Sequence, residues 1–149
     1  MVADDVAVLT AFPHAAIDHD NLEFYRGLLA RRFLVNRCAD CGHWHVPPRP
    51  ICPACWSTRV VPTEISGRGV VHMVVWMHQG APPVGDDALP YPLATVELVE
   101  QLGLRISTVV IGASKDDLTI GLPLELTWVE RDGVPHPVFR PADVSTVVP

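Results

Sequence analysis

Most of what an active site is built from is missing from this chain. Its 149 residues hold no Gly-x-Ser-x-Gly elbow, no glycine-rich phosphate cradle and no histidines paired at metal-ligand spacing. The seven histidines are scattered. Of these, His72 and His78 fall on one face of a strand by alternation, where lining a barrel or meeting solvent outweighs a two-histidine site. Ser107 and Thr108 have no nearby base, and Asp86-Asp87 and Asp116-Asp117 read as solvated loop acids. Catalysis by this chain alone is disfavoured. An excess of basic charge is also missing: 11 Lys and Arg stand against 17 Asp and Glu, a formal net charge of −6. A chain of that balance has no bulk field for holding a phosphate backbone, which disfavours nucleic-acid binding. No apolar run reaches the roughly 18 residues a membrane-spanning helix needs. The amino terminus has no basic segment leading into an apolar one, so the expectation is a soluble, cytoplasmic protein with reduced thiols. Internal repeats and low-complexity segments are absent too. At 48% hydrophobic and 19% charged residues the chain should fold.

What is present is concentrated between Cys38 and Cys55. All four cysteines lie there, as Cys38-x-x-Cys41 and Cys52-x-x-Cys55 separated by ten residues. A turn of this spacing presents two thiolates to one ion, and two such turns complete a tetrahedral four-sulfur shell. Zinc suits a closed shell of that kind, while iron uses the same ligands and is not separated from zinc by spacing alone. Paired disulfides would need an oxidising compartment, and a redox Cys-x-x-Cys normally occurs singly on a βαβ pattern that is absent here. His43 or His45 could stand in for a cysteine, but four cysteines in register leave them surface or packing roles. Arg37, Arg49 and Arg59 bracket the cluster and would offset the excess negative charge of a tetrathiolate.

Residues 1–16 show no clear period. Asp20-Asn21-Leu22-Glu23 has the form of a capping box and predicts a helix that runs to about Phe33. Leu22, Tyr25, Leu29 and Phe33 make one apolar stripe, with Phe24 and Leu28 beside it. So wide an apolar face on a short helix fits either deep burial or a partner. From Val60 onward the pattern is β. Strands are expected at 60–65, 70–77, 93–98, 104–111, 124–130 and 136–140, with a long Gly/Pro/Asp-rich loop over 79–90. Short strands with no helix between them point to a small closed barrel.

The order of motifs resembles a known family. Phe24-Tyr25 on the helix, Cys38-x-x-Cys41-Gly42, Pro47-Pro48-Arg49, Cys52-Pro53-x-Cys55, Gly67-x-Gly69-Val70, Pro90-Tyr91-Pro92, Ile120-Gly121 and Phe139-Arg140-Pro141 follow one another as in the proteins called domain of unknown function 35. This chain has Tyr25 where that family commonly has Trp. The resemblance spans about 18–142. It implies a mainly β fold: a docking helix over 20–35 after an extension at 1–19, a rubredoxin-like zinc ribbon over 36–60, and a five-stranded OB-fold barrel over 61–149. It implies structural zinc on Cys38, Cys41, Cys52 and Cys55, and a non-catalytic accessory subunit of a thiolase-fold acyl-CoA enzyme such as a thiolase, acyltransferase or lipid-transfer-type aldolase. Other members pair with hot-dog-fold acyl-CoA dehydratases. On this reading Leu22, Phe24, Tyr25 and Leu28 form the partner interface. Arg26, Arg31, Arg32 and Arg68 are candidates for the phosphates of CoA. A nucleic-acid-binding zinc-ribbon protein is the alternative from another class.

Overall fold

A computed structural model describes residues 4–80, 82 and 89–143. The elements run α1 (Asp5–Ala11), α2 (Leu22–Leu29), β1 (Leu34–Cys38), β2 (Trp44–His45), β3 (Val60–Glu64), β4 (Arg68–Met77), β5 (Tyr91–Leu98), β6 (Arg105–Val109), β7 (Pro123–Arg131) and β8 (Val134–Pro141). The fold is mainly β, in two sheets.

Helix α1 is unannounced by any sequence period. Asp4 caps it by accepting from the Ala7 amide at 2.7 Å, and Asp5 places a negative charge at the positive helix end. Only Val8 of this helix is buried, and one buried residue in two turns leaves no periodicity to detect. Helix α2 begins close to where the sequence places it, but by a different device. Asp18, not Asp20, carries the entry turn: its carboxylate accepts from the Asp20 and Asn21 amides, while Asn21 Oδ1 accepts from the Asp18 amide. The expected partner Glu23 binds Arg26 instead.

α2 also ends a turn earlier than the stripe suggested. The Arg32 amide donates to the Gly27 carbonyl at 2.8 Å, and Arg31 adopts φ 54°. This turn folds back over Gly27, where a Cβ would stand 2.7 Å from the Arg32 carbonyl oxygen. Phe33 therefore lies beyond the helix, in the approach to β1.

The smaller sheet has the order β2-β1-β3, all antiparallel. Residues 61–64, assigned to the barrel from sequence, pair instead with β1, from Leu34↔Glu64 to Cys38↔Val60. They close the ribbon. The larger sheet has the order β6-β5-β4-β7-β8. Its ends meet where Val110 and Phe139 form a parallel bridge and the Ile111 amide donates to the Phe139 carbonyl at 2.9 Å. That leaves a nearly closed five-stranded barrel of OB type. Gly69 makes tight closure possible: a Cβ there would sit 2.6 Å from Val96 Cγ1 and 2.7 Å from the Glu97 carbonyl oxygen. Val71, Val96, Leu98, Leu124 and Phe139 fill the barrel, and Leu28, Phe33 and Val35 extend the same core toward the ribbon. A bulge between Val71 and Met73 disturbs the alternation at His72, and His72 and His78 are both exposed. Part of the expected 79–90 loop, including Asp86 and Asp87, lies outside the described residues.

Candidate metal centre and flanking grooves

The four cysteines come together as the spacing requires. Their sulfur atoms all lie within 4.8 Å of one another, with Cys38–Cys55 at 3.6 Å and Cys41–Cys52 at 3.7 Å. A metal–sulfur bond of about 2.3 Å in a tetrahedron implies sulfur separations of about 3.8 Å, so the donor set fits zinc. The local fold explains the convergence. The Gly42 amide donates to the Cys38 carbonyl at 2.9 Å, and Gly42 at φ 75° lets the chain reverse so that Cys38 N–H reaches the His43 carbonyl. The second knuckle repeats the turn, with the Trp56 amide on the Cys52 carbonyl and the Cys52 amide on Ser57. Cys38 and Cys52 are buried, whereas Cys41 and Cys55 face outward.

Each thiol feels the charge of its neighbours. The Cys41 backbone N–H, directed at Cys38, brings that thiol down to about 6. At Cys55 the Ser57 N–H acts in the same direction, yet crowding by Cys41, burial and the other two sulfurs push it up to about 12. One thiolate forms readily, and the next meets its charge. A divalent cation removes that conflict, which is why such a cluster binds metal with all thiols deprotonated. Asp40, between the two ligands of the first knuckle, accepts from Arg59 and from the Ser57 hydroxyl. Arg59, with Ser57 beside it, lowers the Asp40 pKa and joins the two knuckles. Arg37 lies over the Trp44 ring at 5.2 Å. His45 is buried, and that burial lowers its pKa.

The arginines singled out from sequence do not form one cluster. Arg26 is held by Asp5 and Glu23, and Arg32 by Glu64 at 2.9 Å. Arg31 reaches Glu130. Arg31 and Arg68 nevertheless share a groove of about 660 Å³ at the barrel mouth, over a floor that includes Phe33, Val99, Leu126 and Trp128. Arg68 has no ion-pair partner among the described residues, because Glu125, its neighbour across β4–β7, is engaged by Arg140.

The helix face is largely engaged from within. Leu28 is 5% exposed and belongs to the core, so it is not a surface residue. Phe24 packs edge-on against Phe33 at 5.5 Å, Tyr25 tilts against Phe12 at 5.0 Å, and Leu22 is half-buried. Outer parts of Phe24 and Tyr25 remain available to a second groove of about 580 Å³ that adds Val46, Pro47, Arg105 and Ile106. Its walls come from α2, the ribbon and β6. No single stretch of sequence carries that grouping, although two of its members, Phe24 and Tyr25, are among the residues expected at a partner interface. Trp56, which no sequence motif singles out, is 81% exposed at φ 64° where the first knuckle has glycine.

Residues 26–61 match the family profile "ChsH2, rubredoxin-like zinc ribbon domain", and residues 62–129 match "ChsH2, C-terminal OB-fold domain". A "Probable enoyl-CoA hydratase alpha subunit" of Thermomonospora curvata is 38% identical over 131 residues, 87% of this chain. The match covers only 40% of that relative's length. A "DUF35 domain-containing scaffold protein" of Pyrococcus furiosus is 32% identical over 64% of this chain and 67% of its own. Among solved structures, the "Ltp2-ChsH2(DUF35) aldolase" superposes at TM-score 0.75 with 36% identity, covering 86% of this chain and 98% of that one. A DUF35-family protein of unknown function from Sulfolobus solfataricus, 16% identical at TM-score 0.58 over 92% and 96% of the two chains, shows the shared fold. The chain belongs to the domain of unknown function 35 family, with structural zinc in a rubredoxin-like ribbon joined to an OB-fold barrel.

Proposed function

We propose that this chain is a non-catalytic accessory subunit that docks on a thiolase-fold acyl-CoA enzyme and helps enclose the CoA-bound substrate. The observation that carries the reading is the groove between α2, the ribbon and β6. It sets Phe24, Tyr25 and Arg105, residue types enriched at the core of protein interfaces, beside the apolar Val46, Pro47 and Ile106. The 36% identical relative solved as an "Ltp2-ChsH2(DUF35) aldolase" supports the choice of partner. The groove with Arg31 and Arg68 has a different character. Its apolar floor suits a pantetheine arm and the guanidinium of Arg68, without an ion-pair partner among the described residues, suits a phosphate, so CoA is the proposed ligand there.

A second reading has one specific support. The Thermomonospora curvata relative is named for an enoyl-CoA hydratase, which favours a hot-dog-fold acyl-CoA dehydratase as partner. Nucleic acid is disfavoured by the net charge of −6.

The test is co-expression with candidate partners from the same genome, followed by the mass of the complex on size exclusion. Val46→Asp is the informative variant, because Val46 is 37% exposed and lines the groove, whereas Phe24 also packs on Phe33. A hetero-oligomer for the wild type and separate components for Val46→Asp are expected, with zinc content equal. A wild-type chain that elutes alone beside both partner classes would remove the accessory-subunit reading.

A further inference from the structure

We propose that Gln101 is a latch that sets the zinc ribbon on the barrel by completing the free edge of β2. The ladder between β1 and β2 pairs Asn36 with His45 and Arg37 with Trp44. The Cys38 amide donates to His43, so the backbone of Trp44 is turned away from β1. There its N–H donates to Gln101 Oε1 at 2.9 Å and its carbonyl accepts from Gln101 Nε2 at 2.9 Å. A primary carboxamide holds an NH2 and a C=O side by side in one plane, and so can present to a strand edge the N–H and C=O that a peptide unit would. Gln101 therefore acts as a one-residue strand on an edge that has no other strand beside it among the described residues.

The residues before it bind the adjoining chain as well. Glu100 Oε1 accepts from the Ser66 amide in the linker after β3, and the Val99 amide donates to the Arg68 carbonyl at 3.1 Å. The turn between β5 and β6 thus grips the ribbon edge, the linker and the start of β4 with three consecutive residues. The Trp44 ring meanwhile packs against the shared core. Apolar contact alone would let the ribbon rock about that ring. Two hydrogen bonds of fixed direction remove that freedom, and they fix the shape of the groove between Val46 and Ile106.

The chemistry makes the latch specific. Leucine has neither group, and glutamate accepts from Trp44 N–H but cannot return a proton to its carbonyl. In zinc-loaded protein, Gln101→Leu should speed exchange of the Trp44 amide by about tenfold, the loss expected for one or two such bonds. Gln101→Glu should fall between, and residual dipolar couplings should show the ribbon of Gln101→Leu averaged over orientations relative to β5 and β7. Zinc content should stay at one per chain. Unchanged Trp44 exchange and unchanged relative orientation in Gln101→Leu would overturn the proposal. So would a loss of protection spread evenly through β5 and β7, since that would make Gln101 a residue of the barrel fold. Should Gln101→Leu fail to fold, Gln101→Glu decides by the same two measurements.

Discussion

The ribbon and the barrel solve the same problem by different means. The barrel closes a sheet on itself and fills it with side chains such as Val71, Val96, Leu124 and Phe139, so apolar burial holds it. The ribbon has a two-residue strand, β2, and buries little besides Leu34, Val35 and the inner cysteines Cys38 and Cys52. It also buries Asn36 and His45, which contribute no apolar transfer energy. A unit of that size does not persist on burial alone, and the metal supplies the difference. One region is ordered by solvent exclusion and the other by coordination, and the grooves lie at the edges where they meet.

The sharpest way to break the comparison is to remove a ligand. Cys38→Ser should release zinc and abolish order in β1 to β3, because at such sites binding free energy, about 10–16 kcal/mol in zinc-finger peptides, is folding free energy. The barrel strands should persist in part, read by retained far-ultraviolet β signal at lower soluble yield. An unaltered melting curve for Cys38→Ser would show that the metal organises nothing. The converse test is Phe139→Ala. Phe139 is fully buried where the barrel ends meet, and its truncation should cost about 3–5 kcal/mol of global stability in denaturant unfolding. Zinc affinity should be unchanged under native conditions.

Smaller still is Gly69→Ala, expected at about 1–3 kcal/mol because the new Cβ meets Val96 and the backbone of Glu97. A neutral result would mean that β4 and β5 can separate without cost. The least effect belongs to His136. Burial lowers its pKa and favours the neutral ring, with the nearby Arg131 adding to the shift. A histidine with a depressed folded value gives stability that is present above its ordinary pKa and lost as pH falls through the folded value. The wild type should therefore lose stability below about pH 6.5, and His136→Gln should show a shallower slope in melting temperature.

How much of this was legible depends on whether the cause is local. The knuckles were, because spacing alone brings two thiolates together. The barrel strands were, because β-branched residues follow one another with Gly and Pro between them. Capping at α2 was misassigned: Asp18 and Asp20 have the same chemistry two positions apart, and the turn that forms uses Asp18 ahead of the N-cap residue Asn21, whose side chain also holds the Ala16 carbonyl. Leu28 looked available for docking because a helical wheel shows a face without showing what already covers it. The strand expected over 60–65 is present, but a strand pattern does not name its partner, which is β1. Gln101 gave no signal at all, since its role exists only when Trp44 is 57 residues away in sequence and 2.9 Å away in space.

The proposed seat of the partner against α2, the ribbon and β6 is tested most directly by hydrogen exchange of the zinc-loaded chain, alone and in its complex. Added protection is expected over residues 21–25, 34–36, 46–48 and 105–107, with β7 and β8 unchanged apart from the barrel mouth. Protection confined to β7 and β8, or no change anywhere in a complex of confirmed mass, would contradict it.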